Sequence, residues 1–424
     1  MSGIGDLIAA LGTTCAALPD RRRGPPGEGD YTMADIGLSA FAPFFMGSPS
    51  FLAHQRALQR GQGHSNCQTL FGMAAIPTDN YIRQMLDGVS PAAFEPLFWH
   101  AIDAAGLPTR FQCLGGRILI ALDGTEYFCS RKIKCPNCST RRRSDGGVEC
   151  FHAFLGATIV APGHHQVLPL PPEFIAPQDG AEKQDCERCA AKRWLSRHGP
   201  IVADLRPIVL GDDLFACQPI AVAIQQIGGN FILTCKPSSH PTITEYLHGV
   251  DLAEYRQTVR NGRKCTTTIY RWLCEVPLRD TANAVTVNWF SVEIRNAAGK
   301  RTYANSFVTD LAVTADTVAE LAACGRARWK IENETFNVLK SNGYNLEQHN
   351  FGYGKQTLAS VFLTLNLLAF AFDTAAWLAA LAWRAVIAAC GATYRFFENL
   401  PTITTYVVFR DWLHSIADAA IRPP

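Results

Sequence analysis

The spacing of apolar and polar positions changes character along the chain. From residue 31 to about 110 apolar residues recur at helical intervals. In IPTDNYIRQMLD, Thr78 is placed to cap a helix whose apolar face is Ile82, Met85 and Leu86. Ser48 and Pro49 open another helix, which Gly61 and Gly63 close. From about residue 115 the runs become those of buried strands: Arg117–Leu122, Cys150–Val160 and Gln166–Leu170. A helix over about 180–197 follows, then the strand Pro207–Leu210, a helix near 217–227 and the strand Phe231–Cys235. YRWLCEV and AVTVNWFSVEI, with Gly, Asn and Asp turns around them, predict antiparallel strands between about 236 and 301. TYANSFVTDL returns the chain to the core, and a helix over 314–323 leads into GRARWKIENETFNVLK. That last stretch, Gly325 to Lys340, reads as one helix. Ile331, Thr335 and Val338 form its sheet-facing stripe, and Gly343 can take the left-handed position that ends it. Residues 356–390 are strongly apolar but interrupted by Asn366, Asp373 and Arg384, so they predict a buried helix or hairpin and no membrane span.

These patterns divide the chain into a flexible arm over 1–30, a helical N-terminal domain over 31–110 and the first part of an α/β core over 111–236. A β-rich insertion over 237–302, completion of the core over 303–355 and a C-terminal helical region over 356–424 follow. Hydrophobic content of 48% with 18% charged residues describes a folded protein and excludes a disordered one. A formal net charge of +2 gives no global support to nucleic-acid binding. Local clusters at Arg21–Arg23, Arg131–Lys134, Arg141–Arg143, Lys192–Arg197, Arg260–Lys264 and Arg326–Lys330 nevertheless permit a charged groove. Met1 to Leu11 has Asp6 within its apolar run and no basic residue before it, so it is a poor signal peptide. The fifteen cysteines are therefore expected to be reduced, and CxxC pairs to serve metal or structure.

Carboxylates supply the candidate chemistry. RILIALDGTEYF delivers Asp123 at the end of a buried apolar run, and PIVLGDDLFA delivers Asp212 and Asp213 in the same way. A carboxylate there is costly to desolvate unless a cation or hydrogen bonds receive it. Arg328 and Glu332 lie one helical turn apart. Together these acids are oxygen ligands suited to a hard divalent ion. Asp185 and Glu187, on a helix, rank behind Asp212 as the second acid. Cys135 and Cys138 in CPNC, with Cys186 and Cys189 in CERC, make a possible tetrahedral zinc site.

LDGTEYF, CPNC, PQDGAEKQDCE, LGDDLF, GRARWKIENETFNVLKSNGYNLE and HNFGYGK carry a resemblance over most of residues 70–410. The chain resembles a DDE transposase of a bacterial insertion sequence, of the ISNCY-like group. The resemblance implies an RNase H-like catalytic core with a β-rich insertion, preceded by helices that read DNA. It implies catalytic Asp123, Asp212 and Glu332 holding Mg²⁺ or Mn²⁺, and DNA contacts from Arg326, Arg328, Lys330 and Lys340. It further implies DNA partners (element ends and target), a homodimer in a synaptic complex, and a cytoplasmic, nucleoid-associated place. The alternatives are a metal-dependent nuclease without strand transfer and a non-catalytic DNA-binding protein. Two positions depart from the related tyrosine, arginine, glutamate and lysine signature. Gly325 stands where the tyrosine is, and Leu339 stands seven after Glu332, with Lys340 one later. In a regular α-helix that one residue turns Lys340 roughly 80° from Glu332. Trp329 is expected in the core.

Overall fold

The computed structural model describes residues 3–22, 30–106, 111–177, 185–262, 264–347, 354–391 and 393–412. Its strands are β1 (Gln112–Cys113), β2 (Arg117–Ser130), β3 (Ser139–Arg142), β4 (Val148–Val160), β5 (Leu168–Pro169) and β6 (Glu173–Ile175). They continue as β7 (Pro207–Gly211), β8 (Asn230–Thr234), β9 (Ala253–Asn261), β10 (Lys264–Pro277), β11 (Thr286–Arg295) and β12 (Arg301–Thr309). All join one mixed sheet, ordered β3-β4-β2-β7-β8-β12-β11-β10-β9, with β5 and β6 also on β4 and β1 on β2. β2 and β4 pair antiparallel, whereas β2, β7 and β8 run parallel, joined through helices as parallel connections require. The apolar runs of β2 and β7 are buried along their length, as strands covered on both faces should be.

The predicted β-rich insertion extends this same sheet. β12 pairs with β11 on one side and with β8 on the other, so the strand that returns the chain also joins insertion to core. Phe307 and Val308, fully buried there, lie in the common core.

The helices are α1 (Ile4–Ala16), α2 (Met33–Phe45), α3 (Phe51–Gln59), α4 (His64–Phe71), α5 (Asp79–Leu86) and α6 (Glu95–Ala105). After them come α7 (Glu187–Val202), α8 (Gln218–Gln226), α9 (Pro241–Leu247), α10 (Val318–Arg326), α11 (Asn337–Ser341), α12 (Leu358–Ala379), α13 (Leu381–Cys390) and α14 (Thr393–Tyr406). The first and last groups pack together. Phe51 stacks on Phe362 at 4.6 Å between centroids, Asn66 donates to the Thr404 carbonyl at 2.5 Å, and Trp412 Nε1 donates to the Leu70 carbonyl at 2.8 Å. α12 is the one described helix long and apolar enough to cross a membrane, and its apolar stretch is 94% buried within the protein. Each fully buried Leu or Phe along it contributes about 1.5–3 kcal/mol over an exposed one, which explains its composition without a bilayer.

The arm expected over 1–30 is corrected. Ile4, Leu7, Ile8, Leu11 and Cys15 form a buried stripe on α1, which packs on α2 and α6. Asp6, which reads as a break in the apolar run, accepts from the Gly3 amide at 2.9 Å and so caps the helix start. The GPPGEG turn lies outside the described residues. β2 is also longer than expected, running seven residues beyond Asp123 with a bulge between Glu126 and Phe128.

Candidate functional site

Asp123 lies within β2, and its ladder partner on β4 is Gly156. On the other side β7 pairs in parallel, Ala121 with Leu210. Continued two residues, that register sets Asp123 beside Asp212, just past the end of β7. Asp212 Oδ1 accepts from the Leu214 amide at 2.9 Å, which fixes the turn there. Asp213 turns elsewhere: its Oδ1 accepts from the Lys236 amide at 2.6 Å and lies 3.2 Å from His240 Nε2. Asp185 is held by Arg193 at 2.7 Å. Of these neighbouring acids, Asp212 is the one the fold brings to Asp123.

Glu332 arrives from the segment predicted as one regular helix. The chain is helical through it but changes pitch: α10 is followed by a 3₁₀ turn at Ala327–Trp329, a π-helical turn at Ile331–Phe336, and α11. The π turn holds one extra residue. The buried stripe is consequently Ile331, Thr335, Phe336 and Leu339, while Val338 is only half-buried, a correction to the regular-helix expectation. The same extra residue resets the lysine. Position eight after Glu332 here matches position seven of a regular helix, about 20° from Glu332. Lys340 therefore returns to the Glu332 side, where its Nζ lies 3.2 Å from Glu347. Phe336 in the π turn rests on Gly156, where an added Cβ would come within 2.8 Å of the ring. Gly325 has a packing reason too. A Cβ there would lie 2.8 Å from the Phe307 ring, so β12 leaves no room for a tyrosine.

Arg328 is buried and bridges two of the acids. Nη1 donates to Asp123 Oδ2 at 3.2 Å and Nη2 to Glu332 Oε1 at 2.9 Å. Its guanidinium also lies 4.8 Å from the Trp329 ring centroid. Trp329 is 47% exposed, contrary to the core placement expected. Arg326 stacks over Tyr303, and the Lys330 ammonium donates to the His164 carbonyl.

A fourth carboxylate joins the three. Glu187 opens α7 and reaches β2 at Gly124, where a Cβ would stand 2.3 Å from its carboxyl carbon. A side chain at position 124 would have to displace the Glu187 carboxylate. Burial raises the pKa of Asp123 to about 7. Arg328 opposes the rise, while the charges of Glu332, Asp212 and Glu187 add to it. Glu187 is raised as well, first by burial and then by Asp212. Glu332, Asp212 and Glu187 thus put negative charge around Asp123, with the buried Arg328 as the counter-cation between Asp123 and Glu332.

This raised pKa makes a pH prediction. Folded Asp123 holds its proton up to about pH 7, whereas an unfolded aspartate releases it near pH 4. The stability this contributes is present below about pH 4 and is lost as pH rises to about 7. Asp123→Asn has no such loss. In magnesium-free buffer the melting temperature of the variant, relative to the parent, should climb from pH 4.5 to 7.5 and then level. Thermal unfolding across that range measures it, and a flat difference would refute the coupling.

The four cysteines expected to share an ion do not come together. Cys135 and Cys138 are drawn together with His152, and not with Cys186 and Cys189. The latter two are exposed and interact with each other at the start of α7. His152 lies on β4, and only pairing with β2 carries it to the CPNC loop, so no local pattern in the sequence marks it. Helical position alone likewise does not reveal that Glu187 meets β2. His349 and Asn350 of the HNFGYGK motif lie outside the described residues. No family model matches the chain, and no curated protein matches it.

Proposed function

We propose that the chain is a DDE transposase, cutting DNA at the ends of an insertion sequence and joining those ends to target DNA. The observation that carries this reading is the convergence of Asp123, Asp212 and Glu332, from distant parts of the chain, around the buried Arg328. The strand order supports an RNase H-like core: β2, β4 and the β5–β6 edge antiparallel, with β7 and β8 added in parallel beside β2. In this reading β9–β12 are the insertion between the second and third acids.

Asp123, Asp212 and Glu332 would hold Mg²⁺ or Mn²⁺, with Glu187 near enough to add to the negative field. The bound ions would supply an activated water and stabilisation of the leaving oxygen. The protein's own groups orient the substrate. Arg328, bonded to Asp123 and Glu332, would turn its fork to a phosphate once those carboxylates hold their ions. Lys340, on the Glu332 side, extends the phosphate-binding edge, with Arg326 and Lys330 along the same segment. Trp329, exposed beside Arg328, presents a face on which a base can stack. Two copies in a synaptic complex would bring two DNA ends together, in the bacterial nucleoid.

The N-terminal helices would discriminate element ends from random DNA. Arg83 is not available for this, since it pairs with Asp79 at 2.7 Å and packs over Phe51 and Phe362. Arg56 and Arg60, on α3 and just past its end, are exposed. Deleting the whole region would strip α12 of its packing partners, so Arg56→Ala with Arg60→Ala is the usable probe.

The test is an assay on DNA carrying candidate terminal repeats, with Mg²⁺ or Mn²⁺, scored for cut and joined products. Both products are expected. Cutting without joining would support the nuclease alternative, and retention of DNA with neither product a non-catalytic binder.

A further inference from the structure

We propose that Cys135, Cys138 and His152 form a zinc site that pins the loop between β2 and β3 to the face of β4. The three donor atoms already stand near three corners of a tetrahedron whose fourth corner is left to water. The Sγ atoms are 3.7 Å apart, and His152 Nε2 lies 3.2 Å from Cys135 Sγ and 3.4 Å from Cys138 Sγ. Zinc bonds of about 2.3 Å to sulfur and 2.0–2.1 Å to nitrogen give tetrahedral edges of about 3.8 and 3.5 Å. Only a few tenths of an ångström separate the two sets.

Local backbone structure favours the same ligation. The Cys138 amide donates to the Cys135 carbonyl at 3.2 Å, closing a tight turn. The Cys135 amide donates to Cys138 Sγ at 3.3 Å, a bond that steadies a thiolate ligand. The imidazole packs against two rings, Tyr127 and Phe128, each with its centroid 5.6 Å away. Two soft sulfurs and one imidazole select zinc over the hard cations suited to the carboxylates.

The site also ties separate layers of the fold together. Asn137, between the two cysteines, donates to the Gln356 carbonyl at 2.5 Å. Asp87 accepts from the amides of Lys355, Gln356 and Leu358, so the pinned loop meets the joint where α5 and α12 converge. The zinc would hold this joint, and its role is structural. The inference does not depend on the transposase reading.

The experiment measures zinc by elemental analysis of the purified full-length protein, then exchanges it for Co²⁺. One zinc per chain is expected, and the Co²⁺ form should show thiolate charge-transfer absorption with tetrahedral d–d bands. Cys138→Ser and His152→Ala should lose the metal, while Cys186→Ser and Cys189→Ser should keep it. Removing the metal should lower the melting temperature and speed hydrogen exchange at residues 131–138 and 354–357. No stoichiometric zinc or Co²⁺ in the wild-type protein would overturn the site, as would its loss from Cys186→Ser or its retention in Cys138→Ser. Should the Cys138 or His152 variants not fold, the wild-type Co²⁺ spectrum still decides.

Discussion

Asp123→Asn, Asp212→Asn and Glu332→Gln should each abolish both cutting and joining while leaving the fold in place. An amide keeps the shape of the side chain but removes the charge that binds a divalent ion. Losing several kcal/mol of transition-state stabilisation corresponds to roughly a thousandfold or more in rate. Single-turnover cleavage measures it, with circular dichroism as the check on folding. Asp213→Asn should be milder, because that carboxylate is already committed to the Lys236 amide and His240. Normal cutting by Asp212→Asn, together with failure of Asp213→Asn, would reverse the choice between the two.

The second large effect is on stability. Arg328→Ala removes the one buried cation that bridges Asp123 and Glu332. Breaking a buried pair from one side costs about 3–5 kcal/mol. Glu332 is 35% exposed in its side chain, and solvent screening reduces the cost to about 2–4 kcal/mol. Denaturant unfolding in magnesium-free buffer above pH 7, where Asp123 is ionised, should show that loss. Mg²⁺ or Mn²⁺ should then narrow the gap between variant and parent, since the ion supplies the missing positive charge. Equal stability without metal would mean that Arg328 is no counter-cation to these acids.

How much of this was legible in the sequence depended on the range of the forces involved. Asp123 and Asp212 stood out because each follows a run of buried apolar residues, a local pattern. The pairing of β2 with β7 followed from the order of strands and helices. Glu332 and Arg328 were visible as neighbours one turn apart, but the π turn was not. A spacing argument assumes 3.6 residues per turn, and the extra residue shows only when Leu339 is found buried in place of Val338. His152 and Glu187 depended on contacts across the sheet, which no local period encodes. The arm over 1–30 was misread because the turn-rich RRRGPPGEGD stretch outweighed the helical spacing of Ile4, Leu7, Ile8 and Leu11 before it.

The wide separation of the acids along the chain has a consequence in time. Roughly 200 residues lie between Asp123 and Glu332. At about 5–20 residues per second, a ribosome needs on the order of 10–40 s to deliver the second after the first. Through that interval β2 and β7 wait without the helix that covers their acids, and α2 waits longer for α12. A nascent chain halted before α12 emerges thus exposes its apolar N-terminal helices. The completed protein is the first species in which the acids, their arginine and the helical layer are all assembled, so an interrupted message should yield material that is degraded or aggregates.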